Sequence, residues 1–123
     1  MGRIREDKER EERIENEITV DAYGPEEQAM GWYYYLADNL EFPFRGRCVK
    51  ERRTSPLQVG QEVAVRKMAP EDDCMHEMFV EIQWSKRRLA VPLSQIEPVD
   101  TDDKTKEAIE DWHYWIARGY ELA

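Results

Sequence analysis

The sequence predicts an α+β fold in which N-terminal helices and a C-terminal helix pack on a small antiparallel sheet. Apolar residues recur at helical spacing over residues 25–40 and 101–119. Short alternating segments separated by turn residues fill residues 43–99 and are typical of β-strands. Because 123 residues suffice for one hydrophobic core, we expect a single domain over residues 1–123.

The N-terminal segment is dominated by charge. Residues 5–17 hold seven acidic and four basic side chains, and the turns before Ile14 offer nothing apolar to bury. We therefore expect residues 1–13 to be mobile and the helical region to cover residues 14–41, with Ile14 and Ile18 docking one narrow edge. The basic residues lie at helical spacings from the acids, which predicts ion pairs within the segment.

Two further helices are predicted, one before and one after the strand region in the sequence. The helix over residues 25–40 begins at Pro25, which fits a first helical turn, and it carries aromatic side chains on more than one face. The helix over residues 101–119 can be capped by Thr101 or Asp102 and ended by Gly119. Docking these two helices together would bury the aromatic surfaces of both.

Residues 43–99 are predicted to form a small, strongly curved SH3-like barrel or sheet. Residues 57–63 resemble the turn that enters the second strand of such a barrel, where Gly60 supplies backbone freedom. Residues 91–99 resemble its last two strands with a helical turn between them. The remaining predicted strands are residues 44–50, 62–69, 78–84 and 88–93.

The composition limits the classes of function. With 27 acidic and 18 basic residues the net charge is −9, which disfavours phosphate backbones and anionic membranes and favours cations or basic partners. No apolar run approaches the ~20 residues that a membrane span needs. Cys48 and Cys74 lie in different predicted elements and no secretory leader precedes them, so we expect a cytoplasmic protein with reduced thiols.

Clustered carboxylates are the predicted functional groups. Residues 71–81 contain five acidic side chains and neither Lys nor Arg. Two carboxylates ~4 Å apart repel by about 1 kcal/mol in water, so a divalent cation that removes this repulsion is favoured. Hard oxygens select calcium or magnesium, and calcium accepts irregular geometry more readily.

A second acidic cluster lies at the junction between the last strand and the C-terminal helix, and Asp38 and Glu41 mark the end of the helix over residues 25–40. The segment from Asp100 is not an EF-hand, because Thr105 stands where the bend-forming Gly is needed. Such an irregular site predicts roughly micromolar to millimolar affinity. The candidate calcium ligands are Asp38, Glu71, Asp72, Asp73, Glu77, Asp100, Asp102 and Asp103.

Several distinctive segments support this interpretation: DAYGPEE (21–27), MGWYYYL (30–36), LEFPF (40–44), VGQEV (59–63), MFVEI (78–82), RLAVPL (88–93) and HYW (113–115). Together they resemble the CcbP-type calcium-binding proteins known from cyanobacteria. The resemblance implies a soluble protein that binds calcium through negative surface groups and becomes more compact when loaded. It also implies a role as an intracellular calcium buffer or sensor.

Two alternatives remain at this point. A basic stretch suits an SH3-like interaction module that binds nucleic acid or an acidic protein, although the net charge makes nucleic acid the less favoured ligand. An enzyme is not expected, since the chain shows no Gly-rich phosphate loop, nucleophile elbow or metallohydrolase signature; a magnesium-dependent hydrolase is the remaining enzymatic alternative. The basic stretch comprises Arg45, Arg47, Lys50, Arg52 and Arg53, with Lys86, Arg87 and Arg88.

Overall fold

Three α-helices and a five-stranded antiparallel sheet form the framework of residues 5–122, the part of the chain that the computed structural model describes. The predicted α+β fold is confirmed. The helices are α1 (Lys8–Arg13), α2 (Pro25–Asn39) and α3 (Asp103–Ala117). The strands are β1 (Phe44–Cys48), β2 (Glu62–Met68), β3 (Phe79–Trp84), β4 (Arg87–Pro92) and β5 (Ile96–Val99).

The sheet has the strand order β4-β3-β2-β1-β5. The edge strands β4 and β5 are joined by the short 3₁₀ helix Leu93–Gln95, where a helical turn was predicted. Within residues 5–122 these two strands are not hydrogen-bonded to each other, so the sheet is open. Closure into an SH3-like barrel therefore stays a prediction.

The hydrophobic core lies between the inner face of the sheet and the helices α2 and α3. Strand β1 alternates buried and exposed residues, as expected of a sheet with one covered face. Trp32 of α2 and Trp112 of α3 are fully buried and meet edge to face, with ring centroids 5.1 Å apart. The aromatic spacing of both helices correctly predicted this docking. Among residues 5–122, no helix combines the length and apolar character that a membrane crossing requires.

A buried carboxylate that the sequence analysis missed anchors the N-terminal helix. Asp111 of α3 is fully buried. It accepts hydrogen bonds from Arg10 Nη1 at 2.7 Å, from Arg13 Nη2 at 2.7 Å and from the Tyr35 hydroxyl at 2.7 Å. The hydrogen bond to Asp111 raises the pKa of Arg13, while burial and then Asp111 raise the pKa of Tyr35. One carboxylate thus joins α1, α2 and α3.

The charged N-terminal segment forms ion pairs with α3 as well as within itself. One ion pair within the segment occurs as expected, between Arg10 and Asp7 at 3.6 Å, but the shorter ion pairs of Arg10 and Arg13 reach across to α3. The predicted mobility of residues 1–13 stays a prediction, and residues 1–4 lie outside the described part. Ile14–Ile18 continues as a π-helical turn whose Ile18 carbonyl rests against Gly31, where any Cβ would clash.

Replacing Asp111 with Asn should lower the free energy of unfolding by about 3 kcal/mol, because two arginines lose the charge that pairs them in a mostly buried setting. Urea denaturation at pH 7 measures this loss. The matched control is Glu110→Gln, which removes a neighbouring carboxylate that is about half exposed and should cost under about 0.5 kcal/mol. Equal losses for the two variants would contradict the anchoring role of Asp111.

His113 is a partly buried polar group whose ring is hydrogen-bonded within the fold. Its Nε2 lies 3.1 Å from the carbonyl oxygen of Leu93, so the Nε2–H tautomer donates to it. Burial lowers the pKa of His113 from the ordinary value of 6.5. In the unfolded chain His113 binds a proton near its ordinary pKa, whereas in the folded chain burial disfavours the protonated form. Lowering the pH through that ordinary pKa therefore favours unfolding.

The free energy of unfolding should fall between pH 7.5 and pH 5.5 by up to about 1.4 kcal/mol on account of His113, the limit set by an ordinary imidazole pKa in the unfolded chain. Chemical denaturation at a series of pH values measures this slope. His113→Gln should flatten it, whereas His76→Gln, a change at an exposed histidine, should leave it intact. An unchanged slope in His113→Gln would count against the burial argument.

Candidate metal centre

Five of the eight predicted calcium ligands lie in two groups, and Glu41, which was not a predicted ligand, joins the second group. Seven of the eight are exposed and only Glu77 is partly buried. The first group, here called the acidic turn, is Glu71, Asp72 and Asp73 in the 3₁₀ helix Glu71–Cys74. The second group, here called the acidic groove, is Glu41, Asp100 and Asp102 between the end of α2 and the start of α3.

The acidic turn is fixed against α2 by one hydrogen bond. The Tyr34 hydroxyl donates to Glu71 Oε2 at 2.8 Å, and this bond raises the pKa of Tyr34. Asp38 lies one helical turn beyond Tyr34 and therefore on the same face of α2. The buried Cys74 anchors the other end of the turn, since its sulfur accepts from the Phe79 backbone N–H at 3.4 Å.

Glu77 is already matched by an arginine. Its two oxygens accept from Arg52 Nη1 at 2.8 Å and Arg52 Nη2 at 3.0 Å, and the Ser94 hydroxyl donates to it at 3.3 Å. The bidentate pair raises the pKa of Arg52. In this arrangement a cation at Glu77 would have to displace Arg52.

The acidic groove has a volume of 380 Å³ and is lined by Glu41, Asp100 and Asp102 together with Thr101, Thr105 and one basic residue, Arg45. Asp102 caps α3, accepting the Thr105 backbone N–H at 2.9 Å on Oδ1. Asp100 adopts a left-handed backbone with φ of 54°, which turns the chain from β5 toward α3. These local constraints place Asp100 and Asp102 in the lining of one groove.

Thr105 connects the two sides of the acidic groove. It is fully buried, and its Oγ1 accepts the Glu41 backbone N–H at 2.9 Å. Hydrogen bonds from the Thr105 side chain and backbone lower the pKa of Asp102, and the nearby carboxyl group of Glu41 acts in the same direction. The sequence analysis noted Glu41 at the helix end but did not include it among the predicted ligands. The tertiary structure adds Glu41 to the candidate ligands of the acidic groove.

The donors of both groups are carboxylate oxygens, which suit hard cations such as calcium. In the part of the chain that the structure describes, no three His, Cys, Asp or Glu side chains already stand in a geometry that holds a metal ion. Calcium takes six to eight oxygens. A site here would therefore have to be completed by backbone carbonyls, by water and by movement of the exposed side chains.

Replacing Thr105 with Val should raise the pKa of Asp102 and lower the free energy of unfolding by about 1–2 kcal/mol, because the variant keeps the shape but loses the hydroxyl that both sides of the groove use. Carboxyl NMR titration and urea denaturation measure these effects. Thr105→Ser keeps a hydroxyl and should retain the low pKa. If Thr105→Val left the pKa of Asp102 unchanged, the Thr105 hydroxyl would not be the group that lowers it.

Fold and donor set together define a small acidic α+β protein with surface carboxylates suited to hard cations. A family model for CcbP, described as "Calcium binding", matches residues 12–116. The chain belongs to the CcbP family of calcium-binding proteins, and the resemblance noted in the sequence is confirmed.

Two solved structures agree with this assignment. The crystal structure of Anabaena CcbP is 50% identical in sequence, covers 98% of both chains and has a TM-score of 0.86. A structure described as "Calcium binding protein in the calcium-binding form" is also 50% identical, covers 93% of this chain and 94% of its own, and has a TM-score of 0.83. A comparison with curated proteins gives no match.

Proposed function

We propose that this protein binds calcium ions through its surface carboxylates and serves as a cytoplasmic calcium buffer or sensor, without catalysing a reaction. The observation that carries the proposal is that Glu41, Asp100 and Asp102 line one groove. Membership of a family described as calcium binding supports the choice of ion. Both cysteines are free and buried, in keeping with a reducing compartment.

The acidic groove is the site that the geometry favours. Asp102 is held in its charged form by hydrogen bonds from Thr105. Glu41 lines the same groove, so a divalent cation placed there would be attracted by more than one carboxyl group. Asp100 lines the same groove and Asp103 begins α3 next to Asp102. Several carboxylates are needed, because the positive end of the α3 dipole opposes a cation at this point.

The acidic turn, with Asp38, is the proposed second site. Asp72 and Asp73 are exposed, and neither forms an ion pair within residues 5–122, whereas Glu71 is positioned by Tyr34. Asp38 approaches from the same face of α2. Glu77 is the weakest of the predicted ligands, because Arg52 occupies both of its oxygens.

Moderate affinity follows from this arrangement. The ligands stand on exposed loops and helix ends and are not held in a finished cage, so ordering them opposes binding and roughly micromolar to millimolar dissociation constants are expected. Such affinity suits a buffer that fills and empties with changes in free calcium. Ordering of the loops on loading would supply the change of shape that a sensor needs.

Calorimetric titration of chelator-treated protein with calcium should give a saturable signal, and titration with magnesium should give a weaker one, since magnesium requires a tighter octahedron. Calcium at a hundredfold excess over its dissociation constant should stabilise the fold by about 2.7 kcal/mol. Thermal denaturation with and without calcium checks the second effect. If millimolar calcium gave neither a heat signal nor stabilisation, the proposal would be rejected.

Paired variants assign the sites. Asp100→Asn with Asp102→Asn should weaken calcium binding by about tenfold or more in the groove, and Asn still caps α3. Asp72→Asn with Asp73→Asn tests the acidic turn in the same way. The matched control is Glu15→Gln with Glu17→Gln, which removes two exposed charges away from both groups. Equal weakening by the control would mean a diffuse ion atmosphere and no site.

A further inference from the structure

The sheet carries the opposite charge to the rest of the molecule. Its five strands and the turn between β3 and β4 hold seven basic and three acidic side chains, a net charge of +4. Because the whole chain carries −9, the remainder carries −13. The basic side chains are Arg45, Arg47, Arg66, Lys67, Lys86, Arg87 and Arg88, and all of them except Arg87 are here called the basic face.

Strand register places most of these cations on the outer side of the sheet, whereas Arg87 stands opposite Trp84 and lies on the other side. Arg45 stands opposite Ala64, and Gln83 stands opposite Arg88, all on the side away from the core. A β-bulge falls between Val65 and Lys67. Because a bulge sets two residues against one, Arg66 and Lys67 are both exposed although they are consecutive.

The three acids of the sheet are already engaged. Glu62 lies 3.6 Å from Arg45, and Glu97 lies 2.7 Å from Arg47. Glu81 is shared between Lys67 and Arg88, each at 3.9 Å. One carboxylate between two cations leaves positive charge in excess.

Three cations have no such partner. In the described part of the chain, no carboxylate lies within 4.0 Å of Arg66, Lys86 or Arg87. All three are exposed. Exposed ion pairs such as those of Arg45 and Arg88 are also weak enough to exchange partners.

The basic face has room for a ligand. A shallow groove of 480 Å³ runs between Arg45 and Arg66, with the small side chain of Ala64 in its lining. Ala90 stands opposite Glu81 on the neighbouring strands and keeps the surface low there as well. Arg45 and Arg47 are alternate residues of β1, and alternate side chains of an extended peptide have the same spacing. Two acidic side chains of such a peptide can therefore pair with these two arginines.

We propose that the basic face binds an acidic, extended segment of a protein partner. A short acidic segment can contact the +4 sheet alone, whereas a long nucleic acid would also meet the field of the −13 remainder. The exposed aromatic side chains of residues 5–122 are Tyr23, Tyr34 and Tyr120. None of these lies in a strand, so the basic face offers bases no exposed ring for stacking.

Fluorescence polarisation with a fluorescein-labelled octapeptide of glutamate tests the proposal. Measurements in EDTA at low salt keep the result independent of calcium binding, so failure here leaves the proposed function untouched. Arg66→Glu with Lys67→Glu should weaken binding by about tenfold, because each reversal removes one attraction and adds one repulsion. Arg66→Gln with Lys67→Gln is the milder second variant and should weaken binding to a smaller extent.

The matched control is Lys104→Glu with Lys106→Glu on α3, which changes the net charge equally at exposed positions away from the sheet. It should weaken binding far less than the sheet variant. Equal loss in both variants would overturn the proposal, and so would equal binding of a glutamine octapeptide. Tighter binding of an eight-nucleotide oligothymidylate would reassign the face to nucleic acid, and salt-sensitive dimers abolished by the sheet variant would reassign it to a second copy.

Discussion

The packing of α2 against α3 is the constraint on which the rest of the structure depends. Three contacts hold the two helices in one antiparallel register. Trp32 meets Trp112, the Tyr35 hydroxyl donates to Asp111, and the Glu41 backbone N–H donates to Thr105. The first is an aromatic contact between two fully buried rings, and burial of their apolar surface favours it. The two polar contacts are directional, so they fix the register that the apolar contact alone would leave free.

That register determines what two parts of the helix pair can do. Near the middle of α3, Asp111 draws α1 onto α3 through arginines spaced three residues apart. At the start of α3, Thr105 brings the chain after α2 beside the helix cap, where the groove carboxylates lie. The stability of the fold and the position of the groove carboxylates therefore depend on the same pair of helices. A bound cation would add a further link between the end of α2 and the start of α3.

Charge is sorted by layer in this protein. The helical layer carries the carboxylates, and the outer side of the sheet carries a surplus of arginine and lysine. Buried apolar residues separate the two layers, so their fields do not simply cancel. The acidic groove and the groove on the basic face nevertheless adjoin at Arg45, which lines both of them. The sequence alone showed both kinds of charge but not this separation.

The sequence by itself determined the local elements and the chemistry available. Apolar period, turn residues and caps predicted α2, α3 and the strands within a few residues, because these signals are carried by neighbours in the chain. Family segments predicted the class of protein. Tertiary structure alone decided which charges meet. Glu77 lies with Arg52, Arg10 and Arg13 lie with Asp111, and Glu41 lies with Asp102. Such partners are distant in sequence, and only the packing of the helices and the sheet brings them within reach.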